Sequence, residues 1–474
     1  MSAGIGFEAY VAHDAVGLAA LVRQGEVSAA ELVETAILRA EQVNPQINAV
    51  VERLYESARR QASAPVAGPF AGVPWAVKDL YHAVAGARLT HGSRAYRDHV
   101  AAGDAELVGR FRAAGLIILC TSTSPEFGLS VTTESVLHGP TRNPWNLQRS
   151  SGGSSGGAAA LVAAGVMPAA HATDGGGSIR TPATCCGLVG LKVSRGRTPV
   201  GLTRTEGWNG LSVSHALTRS VRDTAALLDA THGPPLGART VAPPPHGSFA
   251  AAVEREPRPL RIALHIEPAN GQPIHRDCRA AAEEAARLCE QLGHRVELAK
   301  PPLEDLSAHL LNVISVHTAA TVDERSAELG RALAADELET VTRAFVEQGR
   351  RVSGLQLAAA DAAFMRAAVT MARFLQDYDV ILSPSLAAPP APLGTLSLDL
   401  PLPQFVQAVM PYSPFSALYN MTGQPAISLP LHWNEEGLPI GVQFAGRLGE
   451  ESLLLQLSGQ LERAQPWFHR RPVL

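Results

Sequence analysis

Two glycine-rich segments that flank an alanine-rich stretch constrain this chain more than any other feature. Residues 150–157 read SSGGSSGG, residues 158–170 are almost all small or apolar, and residues 173–180 read TDGGGSIR. Glycine leaves backbone N–H groups uncovered, so several of them can point into one cavity and hold an anion. One such loop would be typical of a tight turn. Two loops separated by a predicted buried helix favour a functional cavity lined by main-chain donors.

The anion could be a bound phosphate or a transient oxyanion. A phosphate loop of the G-x-x-x-x-G-K-S/T type needs a lysine where neither segment has one. An oxyanion cavity needs a nucleophile on the same loop, and Ser178 directly follows three consecutive glycines. A hydroxyl in that position can attack a carbonyl whose oxygen lies among the N–H groups. Ser178 is therefore the candidate nucleophile.

Three other patterns in the sequence also suggest roles for nearby or reactive side chains, and each has an ordinary structural explanation. Residues 153–157 match the G-x-S-x-G nucleophile elbow, with Ser155 at its centre, but residues 143–149 do not favour the buried strand that an elbow requires. His171 and Asp174 suggest a Ser–His–Asp triad, although a histidine between apolar residues is more typical of the core. Lys78 follows an apolar segment, where a lysine usually marks the surface end of a strand.

Apolar runs of strand length alternate with helical patterns along the whole chain. Strands are predicted at 72–78, 116–120, 188–192, 261–265, 380–383, 427–430 and 440–444. Helices are predicted within 14–60, 158–170, 277–292, 303–376 and 450–464. This alternation predicts an α/β fold with a large, twisted, mixed but mostly parallel sheet covered by helices on both faces. Residues 1–474 should form one domain, with a helical segment at 1–65 and a helical insertion at 303–376 over the substrate cleft.

The composition excludes several classes of function. Lys and Arg number 40 against 44 Asp and Glu, so general binding to nucleic acid or to an anionic membrane has no electrostatic driving force. No run of about 18 uncharged apolar residues occurs, and the N-terminus lacks the cationic start of a signal peptide. Five cysteines without a CxxC pair, and no spaced histidine cluster, indicate a reduced, cytoplasmic chain without a disulfide framework or a zinc site.

Residues 152–192 closely resemble the signature of the amidase signature hydrolases. Residues 72–79, GVPWAVKD, are similar to the lysine motif of that family. Residues 139–145, 217–221 and 414–430 match further segments, so the resemblance covers nearly the whole chain. It implies the amidase signature fold and hydrolysis of a C–N bond through an acyl-enzyme.

The resemblance also implies a Ser–cis-Ser–Lys triad. Ser178 would be the nucleophile, Ser154 the bridging serine after a cis peptide bond, and Lys78 the base. Lys78 would have to be neutral, which a buried apolar site can achieve by lowering its pKa. The oxyanion hole would consist of the backbone N–H groups of Gly175, Gly176, Gly177 and Ser178.

Other residues receive supporting roles from the same resemblance. Asp174 and Arg180 would hold the second glycine loop as an ion pair, and Ser155 would be a structural hydrogen-bond donor. Glycine at 175 departs from the Thr, Ile or Ala that is frequent in related proteins, which leaves the donor set of the oxyanion hole open. Candidate substrate contacts, whose aromatic members favour an uncharged, partly apolar acyl group, are Gly128, Ser130, Trp208, Tyr412 and Phe415.

The implied substrates are small amides, linear, cyclic or aryl, and carbamates (urethanes). An ester-preferring hydrolase with the same triad is an alternative. Another is an amidotransferase subunit with partner chains and tRNA, although residues 124–128 lack the Asp-Glu-Phe-Ala-Met pattern of those subunits. A catalytically inactive binding protein is disfavoured because all three triad positions are filled. We expect no nucleic-acid or membrane partner, and either a monomer or a homodimer.

Overall fold

The structure, a computed structural model, describes residues 5–201 and 205–474. Its strands are β1 Val50–Arg53, β2 Pro74–Lys78, β3 Ile117–Ser122, β4 Glu134–Ser135, β5 Gly139–Pro140, β6 Arg142–Asn143, β7 Asn146–Ser150, β8 Ala169–Asp174, β9 Val189–Lys192, β10 Val213–Thr218, β11 Arg261–Leu264, β12 Arg295–Leu298, β13 Val380–Pro384, β14 Ala426–Trp433 and β15 Pro439–Ala445. Its α-helices are α1 Phe7–Val11, α2 Ala15–Gln24, α3 Ala29–Ile47, α4 Tyr55–Ala62, α5 Glu106–Ala113, α6 Gly156–Ala163, α7 Arg180–Cys186, α8 Val221–Thr231, α9 Phe249–Val253, α10 Arg276–Gln291, α11 Ser307–Leu329, α12 Thr340–Gly349, α13 Gly354–Asp377, α14 Leu402–Tyr412, α15 Leu418–Thr422 and α16 Glu451–Ala464.

The central sheet has eight strands in the order β12-β11-β13-β15-β14-β9-β10-β8. Strand β11 pairs in parallel with β12 and β13, whereas the remaining neighbours are antiparallel. The expected mixed sheet is present, but the prediction that it is mostly parallel is wrong. Residues 434–438 join β14 directly to β15, a connection too short for the crossover that parallel strands need.

A smaller sheet positions one half of the candidate site. It has the order β1-β3-β2, and β2 lies beside β8 at the edge of the central sheet. Strand β1 falls inside the N-terminal segment that was predicted to be helical throughout. Its antiparallel pairing with β3, rather than any apolar pattern of its own, selects the extended conformation.

Strand β13 shows that helices cover both faces of the central sheet. Val380 and Leu382 pack in the cluster that includes α10 and α16. Ile381 points to the opposite face, where it packs with Met371 and Leu375 of α13. Burial on both faces explains why this strand is a continuous apolar run.

The alanine-rich stretch between the glycine loops is helical only in its first part. Helix α6 ends at Ala163, Gly165 adopts a positive φ of 74°, and Pro168 follows. The chain then forms β8, which was predicted as the end of the helix and the start of the second loop. Alanine and histidine give no strand signal, so the full antiparallel register with β10 determines this strand.

All five cysteines are buried and free. Within residues 5–201 and 205–474, no helix is both long enough and apolar enough to cross a bilayer. The same residues contain no group of three or more His, Cys, Asp or Glu side chains arranged to hold a metal ion.

Candidate active site

Lys78 ends strand β2 and is completely buried. Its Nζ lies 2.7 Å from the Oγ of Ser154 and donates a hydrogen bond of 2.9 Å to the Oγ1 of Thr173. Burial lowers the pKa of Lys78 well below its ordinary value, and the opposing attraction of the Asp174 carboxylate is the smaller effect. The arrangement favours a neutral amine next to a serine hydroxyl.

Ser154 lies in the first glycine loop, directly after a cis peptide bond to Gly153 and just before helix α6. The glycines of this loop allow close packing of main chain on main chain. A Cβ atom on Gly153 would lie 2.4 Å from the carbonyl oxygen of Thr132, and one on Gly157 would lie 2.4 Å from the backbone nitrogen of Thr123. The first loop therefore needs glycine to hold Ser154 close to its neighbours, in addition to any role in binding an anion.

Ser178 lies in the turn between the end of β8 and the start of α7. The residue is half-buried, and its hydroxyl makes no hydrogen bond with any residue of the described ranges. The backbone N–H groups of Gly175, Gly176 and Ser178 likewise have no acceptor among those residues. A polar hydroxyl and main-chain donors are thus left available on one turn.

The fourth N–H group that was predicted for the oxyanion hole is already engaged. Gly177 donates to the Oδ1 of Asp174 at 2.7 Å, and Ile179 donates to the Oδ2 of the same side chain at 3.1 Å. Gly177 has a φ of 127°, a backbone conformation that residues other than glycine rarely adopt. The N–H group of Gly177 therefore helps to fold the turn, and its part in the oxyanion hole stays a prediction.

A buried network fixes the second glycine loop. Arg180 donates to both carboxylate oxygens of Asp174 at 3.0 Å, so the expected ion pair is present. Burial alone would raise the pKa of Asp174, but the charge of Arg180 and several hydrogen bonds outweigh it and hold that pKa below its usual range. Asn420 donates to the Asp174 carboxylate at 2.9 Å and accepts from Arg180 at 2.7 Å. The loop is thus held by three buried side chains, whose charges and hydrogen bonds are not screened by solvent.

Thr173 and Asn420 were not singled out from the sequence. Thr173 begins the segment 173–180 that was predicted as the second glycine loop, although the structure places it in β8, and Asn420 lies in the late segment, residues 414–430, that resembles the family. Both signals were present, but only the folded chain shows that the two side chains touch Lys78 and Asp174 respectively.

Ser155 and His171 take part in the structure without forming the alternative catalytic arrangements. Ser155 Oγ donates to the carbonyl of Thr173 at 3.2 Å and accepts from its N–H group at 3.3 Å. A short strand, β7, does precede the loop, but it pairs with β6 in a separate two-stranded ribbon. His171 is buried, and its Nδ1 accepts the backbone N–H of Lys78 at 3.2 Å. Its hydrogen bond is therefore to the main chain of β2.

The candidate substrate contacts fall into two groups, and the first lies against the glycine loops. Gly128 has a φ of 72°, and a Cβ atom there would lie 3.2 Å from the Oγ of Ser154. The Trp208 ring lies against Gly175, where a Cβ atom would be 2.8 Å from its Cε3. These two positions border the glycine loops directly.

The second group is engaged in packing and main-chain hydrogen bonds. Ser130 donates to the carbonyl of Leu396 at 2.9 Å. Tyr412 is buried in the large N-terminal core cluster and accepts the N–H of Ala391 at 3.3 Å. Phe415 is buried with His265 edge-on against its ring. All three side chains are thus engaged in contacts within the chain. Their direct contact with a substrate remains a prediction.

The helical insertion packs beside the serine loops. Phe127 and Leu129, on either side of Gly128, join one apolar cluster with Val322 of α11 and Phe345 of α12. Trp208 packs against the same cluster. Helices of the insertion therefore contact both segments that border Ser154 and Ser178.

Comparison with known proteins places this arrangement in a family. A family model described as Amidase matches residues 31–455. The 6-aminohexanoate-cyclic-dimer hydrolase of Paenarthrobacter ureafaciens is 39% identical over 480 residues, which cover 97% of this chain and 96% of that enzyme. The chain therefore belongs to the amidase family.

Solved structures agree with this assignment. The structure of a 6-aminohexanoate cyclic dimer hydrolase matches with a TM-score of 0.94 and 37% identity, over 98% of this chain and 99% of that chain. A bacterial aryl acylamidase of the amidase signature family matches with a TM-score of 0.87 and 28% identity, over 96% of each chain. These matches confirm the family, the α/β fold class and the enzyme class, a hydrolase acting on carbon–nitrogen bonds, that were predicted from the sequence.

Proposed function

We propose that this chain is a serine hydrolase that cleaves C–N bonds of small, partly apolar amides through a Ser178–Ser154–Lys78 relay. The observation that carries the proposal is the 2.7 Å contact between Lys78 Nζ and Ser154 Oγ in a fully buried environment. A neutral amine there can accept a proton from a serine, whereas an ammonium group cannot. The nearby turn supplies a second serine with free main-chain donors.

The acylation step begins with attack by the Oγ of Ser178 on the amide carbonyl. As the C–O bond forms, the Ser178 proton passes to Ser154 Oγ, and the Ser154 proton passes to Lys78 Nζ. The carbonyl electron pair moves to oxygen, and the N–H groups of Gly175, Gly176 and Ser178 stabilise the resulting oxyanion. Thr173 positions Lys78 by accepting a hydrogen bond from its Nζ.

Collapse of the tetrahedral intermediate breaks the C–N bond. The protonated Lys78 returns a proton through Ser154 to the departing nitrogen, because an amide anion is too basic to leave unprotonated. Water then attacks the Ser178 ester, using the same relay as general base, and releases the acid. The relay needs neither a metal nor an organic cofactor.

The relatives guide the choice of substrate class. Enzymes named for the 6-aminohexanoate cyclic dimer are 39% identical over 97% of this chain. We therefore favour uncharged amides that carry polymethylene chains, cyclic or linear, followed by aryl amides, with carbamates as a further class. An amine anion is far more basic than an alkoxide, so an amide needs protonation of its leaving group more than an ester does. Amide hydrolysis is therefore the stricter test of proton transfer from Lys78 through Ser154 to the leaving group.

A substrate panel tests the proposed function. We expect the purified chain alone to open the 6-aminohexanoate cyclic dimer or to release aniline from hexanoyl anilide. We also expect its kcat/KM for hexanoyl anilide to be at least comparable to its kcat/KM for ethyl hexanoate, which has the same acyl group. Liquid chromatography of the linear dimer, of aniline and of hexanoic acid gives the respective rates. Hydrolysis of the ester only would favour the ester-preferring alternative. Turnover that required added partner chains would favour an amidotransferase subunit.

A further inference from the structure

The segment that carries Trp208 has an unusual backbone. Trp208 and Asn209 adopt positive φ angles of 48° and 55°, a region that bulky side chains rarely occupy. Asn209 donates a short hydrogen bond to Asp361 of helix α13. The helical insertion therefore holds this segment in a conformation that it would not favour alone.

The indole ring of Trp208 lies across Gly175 at the start of the second glycine loop. A Cβ atom at Gly175 would lie 2.8 Å from Cε3 and 2.9 Å from Cζ3 of this ring, and 3.0 Å from the Oγ of Ser212. Separations of this size are closer than van der Waals contact. Any side chain at position 175 would have to displace the indole, whose two ring carbons are the closest neighbours of that position.

The ring also connects the loops of the two serines. Trp208 packs against the cluster that contains Phe127 and Leu129, which flank the Gly128 contact with Ser154. It packs as well against Leu211 and Met421 in a neighbouring cluster with α13. The residue remains only partly buried. A partly buried apolar ring thus contacts Gly175, three residues before Ser178, and packs on the cluster that holds the two neighbours of Gly128.

We propose that Gly175 and Trp208 act as one specificity-determining pair. The missing side chain at 175 makes room for the indole, and the indole forms an apolar wall beside the nucleophile. Such a wall accepts an unbranched methylene chain next to the scissile carbonyl, because methylenes pack on an aromatic face without leaving a polar group unpaired. It excludes acyl groups that branch at the adjacent carbon. This inference rests on the proposed function and specifies its substrate class.

A double-mutant cycle tests the pair. We compare wild type, Gly175→Ala, Trp208→Ala and the double variant, using kcat/KM for hexanoyl anilide and for 2-methylhexanoyl anilide. We expect Gly175→Ala to lower kcat/KM for the straight chain by about tenfold or more in the presence of Trp208, and by much less in the Trp208→Ala background, because only the indole is displaced. Trp208→Ala should also reduce the preference for the straight chain. Trp208→Phe, which keeps a flat apolar ring, should retain most of that preference.

Two further measurements keep the outcomes distinct. Thermal unfolding and the rate of fluorophosphonate labelling at Ser178 report whether each variant is folded and has a reactive serine. Equal effects of Gly175→Ala in both backgrounds, or an unchanged straight-chain preference in Trp208→Ala, would overturn the inference while wild type remains active. An absence of turnover and of labelling in wild type would instead overturn the proposed function.

Discussion

The Ser178→Ala variant is expected to lose amide turnover by a factor of roughly 10⁴–10⁶ while remaining folded. The loss follows because no other group can form the acyl-enzyme. The fold should persist, since the Ser178 hydroxyl makes no hydrogen bond with the described residues and the side chain is only half-buried. Initial rates on hexanoyl anilide, with thermal unfolding of the same samples, measure both parts.

Ser155→Ala is the matched control for this variant. Its hydroxyl lies in the neighbouring loop and binds the main chain of Thr173, so we expect a small loss of thermal stability and a loss of activity within about tenfold. A fluorophosphonate probe should label wild type and Ser155→Ala at Ser178 and should not label Ser178→Ala. Labelling at Ser155, with activity retained in Ser178→Ala, would restore the nucleophile-elbow interpretation.

The second large effect concerns the buried lysine. Lys78→Met should lower amide turnover by several orders of magnitude, because Ser154 then has no proton acceptor. The same change should raise the midpoint of thermal unfolding near pH 7, since methionine removes the cost of keeping a buried amine neutral, and that cost exceeds the loss of the hydrogen bonds to Ser154 and Thr173. Lys78→Arg, which remains charged, should be both inactive and less stable.

The pH dependence of stability has a definite sign for this residue. Burial lowers the pKa of Lys78 in the folded state, so between that value and the ordinary value of about 10.4 the unfolded chain binds one more proton. Stability should therefore rise with pH across this window in wild type, and this contribution should be absent in Lys78→Met.

Lys192 provides the control for a buried lysine outside the relay. Burial, reinforced by the charge of Arg180, lowers its pKa to about 7, and its Nζ donates to the carbonyl of Val193 at 2.9 Å. We expect Lys192→Met to retain far more activity than Lys78→Met. Equal losses in the two variants would show that the effect is one of buried charge near the loop, not of proton transfer.

A strand of the fold could be predicted where its own residues form a continuous apolar run. Strands β3 and β13 are continuous apolar runs, and both were located within two residues. Strands β8 and β10 read AAHATD and VSHALT, which lack such a run. Their conformation depends on pairing with each other, and a pairing between distant segments leaves no local pattern. The mostly antiparallel pairing of the central sheet could not be predicted for the same reason.

The candidate site divides along similar lines. The glycine loops and Ser178 could be found from local sequence, because glycine density and a following hydroxyl are local features. The role of Lys78 came only from the family resemblance, since an apolar strand that ends in lysine is a common surface pattern. Its partner Thr173 is 95 positions away, and Asn420 is 246 positions from Asp174. Contacts over such distances require the fold.

The central claim is that Lys78 is a neutral base acting on Ser178 through Ser154. The pH dependence of fluorophosphonate labelling at Ser178 tests it most directly, because the reagent needs the activated nucleophile but does not need protonation of a departing amine. The account predicts that the labelling rate reaches its plateau well below pH 10.4, the ordinary lysine value, and that Lys78→Met abolishes this plateau. A half-maximal rate at the ordinary lysine value, or an unchanged pH profile in Lys78→Met, would contradict it.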